Sequence, residues 1–233
     1  MSARFFSPEP LTPGEFVLEG PEAHHLTTVR RCTTGERVVL FNGDGCDYPA
    51  DVVALSRKSV VLHIAAREAT HRELPYSLEI AAAMPKGDRG DFLIEKLVEL
   101  GVSRFTPLET ARTIVAPKAA RLENLRQAVI EASKQCGRNV LMTIDPLTRW
   151  PTFVAGADLP PTRVLLAPEA SRPLSEIAVT ASGIVVAIGP EGGWDASERE
   201  SASGWIEASL GARVLRIETA AITAAAVLGM TRG

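Results

Sequence analysis

Residues 188–198 read IGPEGGWDASE, an apolar run that ends in a glycine-rich turn directly before a predicted helix cap. The turn has neither the Lys-Ser/Thr pair of a phosphate-binding P-loop nor the glycine spacing of a dinucleotide fold. Its three glycines let the backbone bend sharply and approach a ligand closely. Without a lysine, the turn favours the edge of a flat heterocycle over a phosphate. The alternative is a tight turn that binds no ligand.

Three apolar runs predict a mainly parallel sheet around this turn. They are predicted as strands at 163–167, 183–189 and 212–217. Continuous apolar strands that alternate with helix-prone sequence are typical of an α/β sheet covered on both faces. Ligands bind such sheets beyond the carboxyl ends of the strands. We therefore expect one site where three loops meet, at 167–171, 189–193 and 218–223.

The segments next to these loops carry further predictions. Asp195 or Ser197 is placed to cap the helix after the turn, and Glu198 adds negative charge to its first turn. On the strand predicted at 212–217, alternation puts Arg216 and Glu218 on one side, as a structural ion pair or as functional residues. The uncharged segment 219–230 predicts a helix buried within the chain or against a partner subunit.

The middle of the chain combines α/β elements with local positive charge. We predict a buried strand at 78–84, a helix at 91–101 and a second helix at 119–138. From Arg104 to Arg138 there are seven Lys or Arg and three Asp or Glu, in a chain of net charge −3. Five of these cations are candidates to flank a phosphate backbone: Lys118, Arg121, Arg126, Lys134 and Arg138.

The first 72 residues predict a small β-rich unit. Three β-branched runs, at 37–41, 51–55 and 59–64, are separated by turn sequences at hairpin spacing. His63 lies in the last run without metal-ligand spacing around it, so we interpret it as a structural or exposed strand residue. A β-rich unit beside a basic segment favours a nucleic-acid substrate over a free metabolite.

The composition of the 233-residue chain excludes several classes of protein. No run approaches the roughly 20 apolar residues that span a bilayer, and the N-terminus lacks a signal-peptide core. Cys32, Cys46 and Cys136 are too widely spaced for a disulfide framework or a zinc knuckle, and they fit a reducing cytoplasm. We therefore expect a cytoplasmic protein with no metal and no membrane contact.

Five motifs make the chain resemble one known family. In chain order they are RFFSPEPL (4–11), PKGDRGDFLIEKLVELGV (85–102), KQCGR (134–138), IGPEGG (188–193) and LGARVLRIETA (210–220). They resemble motifs of the ribosomal RNA small subunit methyltransferase E family, across nearly the whole chain. Enzymes of this family use S-adenosylmethionine to methylate N3 of a uridine in 16S rRNA of the small ribosomal subunit.

The resemblance implies an α/β fold of the SPOUT class. Residues 73–233 would form the methyltransferase domain, with a mainly parallel sheet and a C-terminal trefoil knot, a rare exception to unknotted connectivity. Residues 1–72 would form a small PUA-like β-barrel that binds RNA. The resemblance also implies a homodimer with its active site near the subunit interface.

The resemblance assigns roles to particular residues. The cofactor loops would comprise Leu166, Ala167 and Pro168, then Gly189, Pro190, Glu191, Gly192 and Gly193, and finally Leu210, Gly211, Leu215, Arg216, Glu218 and Thr219. Methylation at N3 requires loss of a proton and stabilisation of charge on the uracil oxygens. Catalytic candidates are Arg138, Arg216 and Arg4 for the charge, and Glu218 or Glu191 for the proton. RNA contacts are assigned to Arg4, His25, Arg30, Arg31, Lys86, Lys134 and Arg138.

The sequence departs from the family pattern at two positions. Arg30 stands where the family has an apolar residue, and Lys134 stands where a glutamate often precedes Gln-Cys-Gly-Arg. The Ser-Leu-Asn signature of related ribose 2′-O-methyltransferases is absent, which favours a base as the target. Three other functions stay open: a SPOUT methyltransferase acting on another rRNA or tRNA base, a non-enzymatic RNA-binding module, and a nucleotide-binding metabolic enzyme. The missing phosphate-loop lysine disfavours the last.

Overall fold

The computed structural model describes residues 3–113 and 119–230, apart from the side chains of 119 and 120, and it forms two compact units. The N-terminal unit comprises Met1–Glu73 and Ser133–Leu141, and the C-terminal unit comprises Leu74–Ala132 and Met142–Gly233. No pattern in the sequence predicts that 133–141 joins the N-terminal unit. Lys118, one of the predicted phosphate neighbours, lies outside the described residues.

The N-terminal unit is built on a six-stranded sheet. Its strands are β1 (Ala3–Phe6), β2 (Gly14–Glu19), β3 (Arg37–Phe41), β4 (Cys46–Leu55), β5 (Ser59–Ile64) and β6 (Glu68–Ala69). The strand order is β1-β3-β4-β5-β2, with β6 beside β4. Helix α1 (Gly20–His24) continues into a π-helical turn, His25–Val29. The β3–β4 and β4–β5 pairs are antiparallel, which confirms the predicted hairpins.

Side-chain alternation in β5 shows how this unit forms its core. Leu62 and Ile64 are buried against other apolar residues of the sheet, whereas His63 between them is exposed. Alternation of this kind gives a strand one core face and one solvent face. The interpretation of His63 as an exposed strand residue is therefore confirmed.

The C-terminal unit contains a seven-stranded parallel sheet. Its strands are β7 (Leu78–Ala82), β8 (Arg104–Glu109), β9 (Thr143–Ile144), β10 (Thr148–Arg149), β11 (Thr162–Leu166), β12 (Ile184–Ile188) and β13 (Ile206–Ala208). The order is β10-β8-β7-β12-β11-β13, with β9 beside β8, and every pairing is parallel. The predicted parallel α/β sheet is confirmed.

Helices join the strands of this sheet and bury its central members. They are α2 (Asp88–Glu99), α3 (Ala119–Cys136), α4 (Trp150–Val154), α5 (Ala196–Ser201) and α6 (Ile217–Met230), with a 3₁₀ turn at Leu174–Glu176. All five residues of β7 and of β12 are buried, as expected for strands covered on both faces. Helix α2 ends at Glu99, and Gly101, two residues later, has a φ of 82°, the left-handed conformation that stops a helix.

The prediction of a strand at 212–217 is wrong. The third strand of the predicted set is replaced by β13, which lies earlier in the chain. Residues 211–216 form a loop, and Ile217 begins α6. Glu218 therefore lies in the first turn of a helix, and strand alternation does not relate it to Arg216. The apolar residues of this segment belong to two different elements: Val214 is exposed in the loop, and Ile217 is buried in α6. The segment that pairs with β11 is Ile206–Ala208, which is shorter than the predicted strand, because strand formation depends more on packing than on propensity.

Helix α6 buries a face of small residues. Ala221, Ala224 and Ala225 are fully buried, and the helix packs against α2 and β7 within the same unit. Small side chains allow the close helix approach that such a face requires. The prediction that this segment is a buried helix is confirmed, whereas its contact with a partner subunit stays a prediction.

Candidate functional site: a loop-lined pocket in the C-terminal unit

A pocket of about 350 Å³ lies where the loops after β11, β12 and β13 meet. Small-molecule pockets are commonly about 300 to 1,000 Å³ and occur beyond the carboxyl ends of parallel strands. The loops contribute residues 166–169, 188–194, 208–211 and 213–215, and Arg112, Arg199 and Ala220 complete the lining. The predicted loops 167–171 and 189–193 therefore meet at this pocket, whereas its third wall follows β13 and is not the predicted loop 218–223.

The glycine turn, residues 189–193, is shaped by two different requirements for glycine. Gly193 has a φ of 72° and its N–H donates to the carbonyl of Pro190 at 2.8 Å, which closes the turn. At Gly189 a Cβ atom would lie 3.0 Å from the Trp194 ring, closer than an ordinary contact. Gly193 is therefore required for its backbone conformation, and Gly189 for the space that it leaves to Trp194.

Trp194 connects the glycine turn to the loop after β11. Its ring nitrogen donates to the Leu166 carbonyl at 3.0 Å, and its ring packs on Trp150 with centroids 4.4 Å apart. The side chain is buried, so this hydrogen bond is shielded from water. Two of the three pocket walls are therefore held to one aromatic side chain.

Helix α5 begins in a capping box that fixes the end of the glycine turn. Asp195 accepts from the Ser197 N–H at 3.0 Å, and Glu198 accepts from the Asp195 N–H at 2.9 Å. The bond from the Ser197 backbone holds the pKa of Asp195 below its usual range. The predicted cap at Asp195 is confirmed. Glu198 also accepts from the Ala111 N–H at 2.7 Å, which connects the turn to the loop after β8.

Two arginines that the sequence did not indicate lie at the rim of the pocket. Arg112 donates to the Gly192 carbonyl, and its guanidinium lies 3.9 Å from the Asp195 carboxylate. Arg199 forms ion pairs with Glu169 and Glu207. Arg112 is far from the glycine turn in sequence, and no local motif marks it. Trp194 directly follows the turn in the sequence, and this position is the one sequence feature that could have indicated its role.

The predicted cofactor residues fall into two groups. The pocket brings together Leu166, Ala167, Pro168, Gly189, Pro190, Glu191, Gly192, Gly193, Leu210, Gly211 and Leu215. Arg216, Glu218 and Thr219 instead line a neighbouring open depression with Arg89 and Phe92, and Leu215 borders both. The 218–223 segment, predicted as a loop of the site, is the beginning of α6.

Glu218 is a buried carboxylate with one observed partner. Arg89 donates to its Oε1 at 3.2 Å, and the Glu218 side chain is 9% exposed. Its Oε2 is buried and has no hydrogen-bond partner among the residues that the structure describes. Buried carboxylate oxygens are normally hydrogen-bonded, so the Oε2 atom of Glu218 is an exception to the usual pattern.

Arg4 and Arg138, predicted for catalysis and RNA contact, are both buried within the N-terminal unit. The Arg4 guanidinium donates to Asp47 at 2.8 Å and to the Arg138 carbonyl at 3.3 Å, and Arg138 pairs with Glu73 through two nitrogens. Burial alone would raise the pKa of Asp47, but hydrogen bonds and positive charge from Arg4 and Arg72 outweigh it and lower that pKa. These contacts give both arginines a structural role, and their contact with uridine stays a prediction.

The other predicted RNA contacts differ in accessibility. Arg30, Arg31 and Lys86 are exposed, and Arg31 has the left-handed φ of 54°. Lys134 is 7% exposed and donates to Glu22 at 2.9 Å, with a nitrogen of the half-buried His25 ring 3.3 Å away. The first three cations are therefore accessible to a phosphate, whereas Lys134 is held in an ion pair.

The fold and the pocket define the class of protein, and comparison with known proteins agrees. Residues 72–229 match the family described as RNA methyltransferase domain, and residues 18–65 match the RNA methyltransferase PUA domain. The chain is thus an RNA methyltransferase with a PUA domain.

Individual relatives identify the particular family. Ribosomal RNA small subunit methyltransferase E of Synechocystis is 32% identical over 94% of this chain and 74% of its own length. A putative methyltransferase from Legionella pneumophila, solved with bound S-adenosylmethionine, has a TM-score of 0.91 and 34% identity over 98% of this chain and 97% of that one. The Neisseria gonorrhoeae methyltransferase E, also solved with S-adenosylmethionine, has a TM-score of 0.90 and 31% identity over the same shares. The chain belongs to the ribosomal RNA small subunit methyltransferase E family, as its motifs predicted.

The part of the chain that the structure describes contains neither a metal-ligating cluster nor a membrane-spanning helix. In residues 3–113 and 119–230, no three His, Cys, Asp or Glu side chains are grouped as a metal site requires. Within the same residues, no helix is both long and apolar enough to cross a membrane.

Proposed function

We propose that the chain methylates N3 of a uridine in 16S rRNA of the small ribosomal subunit, with S-adenosylmethionine as the methyl donor. One observation carries the proposal: the glycine-walled pocket lies in the unit that matches the RNA methyltransferase family. The relatives from Legionella pneumophila and Neisseria gonorrhoeae, which bind S-adenosylmethionine, support this choice of cofactor.

The pocket residues fit this cofactor chemically. Leu166, Ile188 and Leu215 supply apolar surface for an adenine ring, and the backbone of the glycine turn supplies polar groups for its edge. A Cβ added at Gly193 or Gly211 would meet no atom within 4 Å, so both glycines border open space. The charged rim offers partners for an amino-acid zwitterion: Arg112, Glu169, Arg199 and Arg213.

The reaction requires a proton acceptor as well as alignment. When bound, S-adenosylmethionine supplies a methyl group on a sulfonium, and its transfer to N3 forms one N–C bond and leaves a neutral thioether. The N3 proton must move to a base. Glu191 is exposed in the pocket wall, whereas Glu218 is buried in its pair with Arg89. This geometry favours Glu191 as the acceptor.

Several wider features belong to the same proposal. We propose that residues 1–72 bind RNA as a PUA-like domain, with Arg30 and Arg31 on the accessible surface, and that 73–233 form the methyltransferase domain. The trefoil knot and the homodimer are implied by the family resemblance, and the cytoplasmic location by the wide spacing of the three cysteines; all three remain part of the proposal.

The decisive experiment is methyl transfer from labelled S-adenosylmethionine to unmethylated small ribosomal subunits, with naked rRNA and tRNA as parallel substrates. We expect label in 3-methyluridine from the subunit. Label in another nucleoside would preserve the fold and remove the proposed target. A protein that neither binds the cofactor nor transfers label would be an RNA-binding module.

The role of Arg138 is tested separately. If Arg138 stabilises charge on the uracil, Arg138→Ala lowers methyl transfer at saturating cofactor while the S-adenosylmethionine Kd changes less than about twofold. Glu73→Gln is the matched control because it weakens the buried pair and keeps the guanidinium. Equal losses in the two variants, measured where both are folded, would give Arg138 a structural role only.

A further inference from the structure

A second cavity, of about 140 Å³, adjoins the glycine-walled pocket in the C-terminal unit. Pro190 and Glu191 line both, so a ligand in one cavity lies against a wall of the other. The rest of its lining comes from the segment after β7, from Thr113 in the loop after β8, and from the beginnings of α2 and α6. We call this cavity the base cleft; its side chains used below are Met84, Pro85, Lys86, Arg89, Glu191 and Ile217.

The base cleft combines an apolar floor with charged edges. Met84, Pro85 and Ile217 are buried residues, which suit the face of a flat ring. Lys86 is exposed and the Arg89 side chain is 41% exposed, so both cations are accessible to a ligand. Glu191 supplies an exposed carboxylate on the side shared with the larger pocket.

These groups complement uracil. The base presents an N3–H donor between two carbonyl acceptors, O2 and O4. A carboxylate accepts from N3–H, and ammonium and guanidinium groups donate to carbonyl oxygens. The same cations stabilise the negative charge that spreads over O2 and O4 when N3 loses its proton. The carboxylate stands on the side nearest the larger pocket, where N3 must face the methyl donor.

We infer that the base cleft binds the target uracil after it leaves the RNA stack, with Lys86 and Arg89 on its carbonyl oxygens and Glu191 at N3. The inference rests on the proposed function and names the subsite for its substrate. In the reaction, the N3 proton passes to Glu191 and N3 gains the methyl carbon. The electron pair of the broken C–S bond remains on sulfur.

Glu218 positions Arg89 for this role. It accepts one hydrogen bond from Arg89 Nη1 at 3.2 Å, and its side chain is 9% exposed. A guanidinium has five N–H donors, so one bond to Glu218 leaves donors that can face the cleft. The buried carboxylate therefore orients the guanidinium without occupying all of its donors. Glu218 is a positioning residue and does not itself contact the base.

The test uses unmethylated small ribosomal subunits and the full-length chain. Arg89→Gln should lower kcat by about 100-fold, since loss of one donor to a developing oxyanion costs about 10²–10³ in kcat. Lys86→Ala should lower it by about tenfold, because this exposed lysine is less rigidly held. The Kd for S-adenosylmethionine, measured by calorimetry, should change less than about twofold in both variants. Arg149→Ala is the control, because Arg149 is an exposed arginine of the same unit that lines none of these cavities.

The pH profile separates charge stabilisation from a structural effect. If Arg89 stabilises the uracil anion, its removal raises the pKa of bound N3–H, and the rising limb of kcat moves to higher pH. Glu218→Gln keeps an acceptor for Arg89 and should give a smaller, about tenfold, loss of kcat with a displacement in the same direction. A lower kcat with an unchanged pH profile in Arg89→Gln would overturn the inference.

A direct placement test uses 4-thiouridine at the methylated position of the rRNA. Photocrosslinks to a peptide containing residues 84–89 or 190–191 would support the base cleft, and crosslinks confined to other peptides would overturn it. Failure of the wild-type enzyme to make 3-methyluridine would instead remove the proposed function. An active wild type together with Lys86 and Arg89 variants that match Arg149→Ala would remove the cleft alone.

Discussion

The glycine turn and the loop at 210–216 both contribute to the lining of one pocket, but they are held in different ways. The glycine turn is fixed by its internal bond, by Trp194, by Arg112 and by the capping box of α5. Residues 210–215 form no hydrogen bond or ion pair with any residue that the structure describes, and Val214 is 79% exposed. One wall is preorganised and the other is open.

The difference indicates how the two walls contribute to binding. A preorganised wall loses little conformational entropy when a ligand arrives, so it provides affinity and orientation. An open wall must be ordered by the ligand, and this ordering costs free energy but allows entry and release. We therefore expect changes in the glycine turn to alter stability and binding together, whereas changes in 210–216 should alter binding alone.

The largest expected effect follows from removal of Trp194. Trp194→Ala deletes a buried aromatic side chain and should lower the free energy of unfolding by about 3–5 kcal/mol. Trp194→Phe retains a ring but leaves the Leu166 carbonyl without its donor, and it should cost about 1–3 kcal/mol. Urea unfolding measures both. A loss below about 1 kcal/mol in the alanine variant would show that this wall is not held by Trp194.

A smaller effect is expected when space is removed at Gly189. Gly189→Val places carbon atoms against the Trp194 ring and should destabilise the fold by about 1–3 kcal/mol through overpacking. Cofactor affinity should fall at least about tenfold, because the turn must move. Gly204→Ala is the matched control, since a Cβ there meets no atom within 4 Å. Unchanged calorimetric affinity in Gly189→Val would separate the turn from the binding site.

Hydrogen exchange compares the two walls directly. Addition of S-adenosylmethionine should slow amide exchange about tenfold in 210–216 and much less in 189–195, because the second segment is already ordered. Peptides from β5 in the N-terminal unit serve as the unchanged reference. Equal slowing in both walls would contradict the distinction between a preorganised and an open wall.

The smallest effect concerns the cap at Asp195 and depends on pH. Because the folded-state pKa of Asp195 is lowered, its stabilising contribution is present above the unfolded value of about 3.9 and is lost as pH falls through the folded value. Asp195→Ala should therefore lower Tm slightly at pH 7, and the difference from wild type should shrink below about pH 4. Asp195→Asn keeps a capping oxygen and should remain closer to wild type at pH 7. A difference that grew on acidification would be incompatible with this cap.

Local chemistry made much of the fold predictable. The β-branched runs at β3, β4 and β5, the apolar strands β11 and β12, and the Asp195 cap depend on residues close together in the chain. The family motifs added the methyltransferase class, which no local pattern indicates. Most of the predicted cofactor residues are brought to one pocket because they follow adjacent parallel strands.

Long-range packing decided the rest. It selected Ile206–Ala208 as the strand beside β11 and left 211–216 as a loop, although the second segment has the more strand-like sequence. It buried Arg4 and Arg138 against carboxylates, so two cations predicted for catalysis and RNA contact are held in ion pairs. It also brought Arg112 to the glycine turn and Arg89 to Glu218. The sequence by itself determined most of the elements and the family, because those depend on local propensity and on motifs. Only the tertiary structure decided which charges are buried and which loops are held, because both depend on partners distant in the chain.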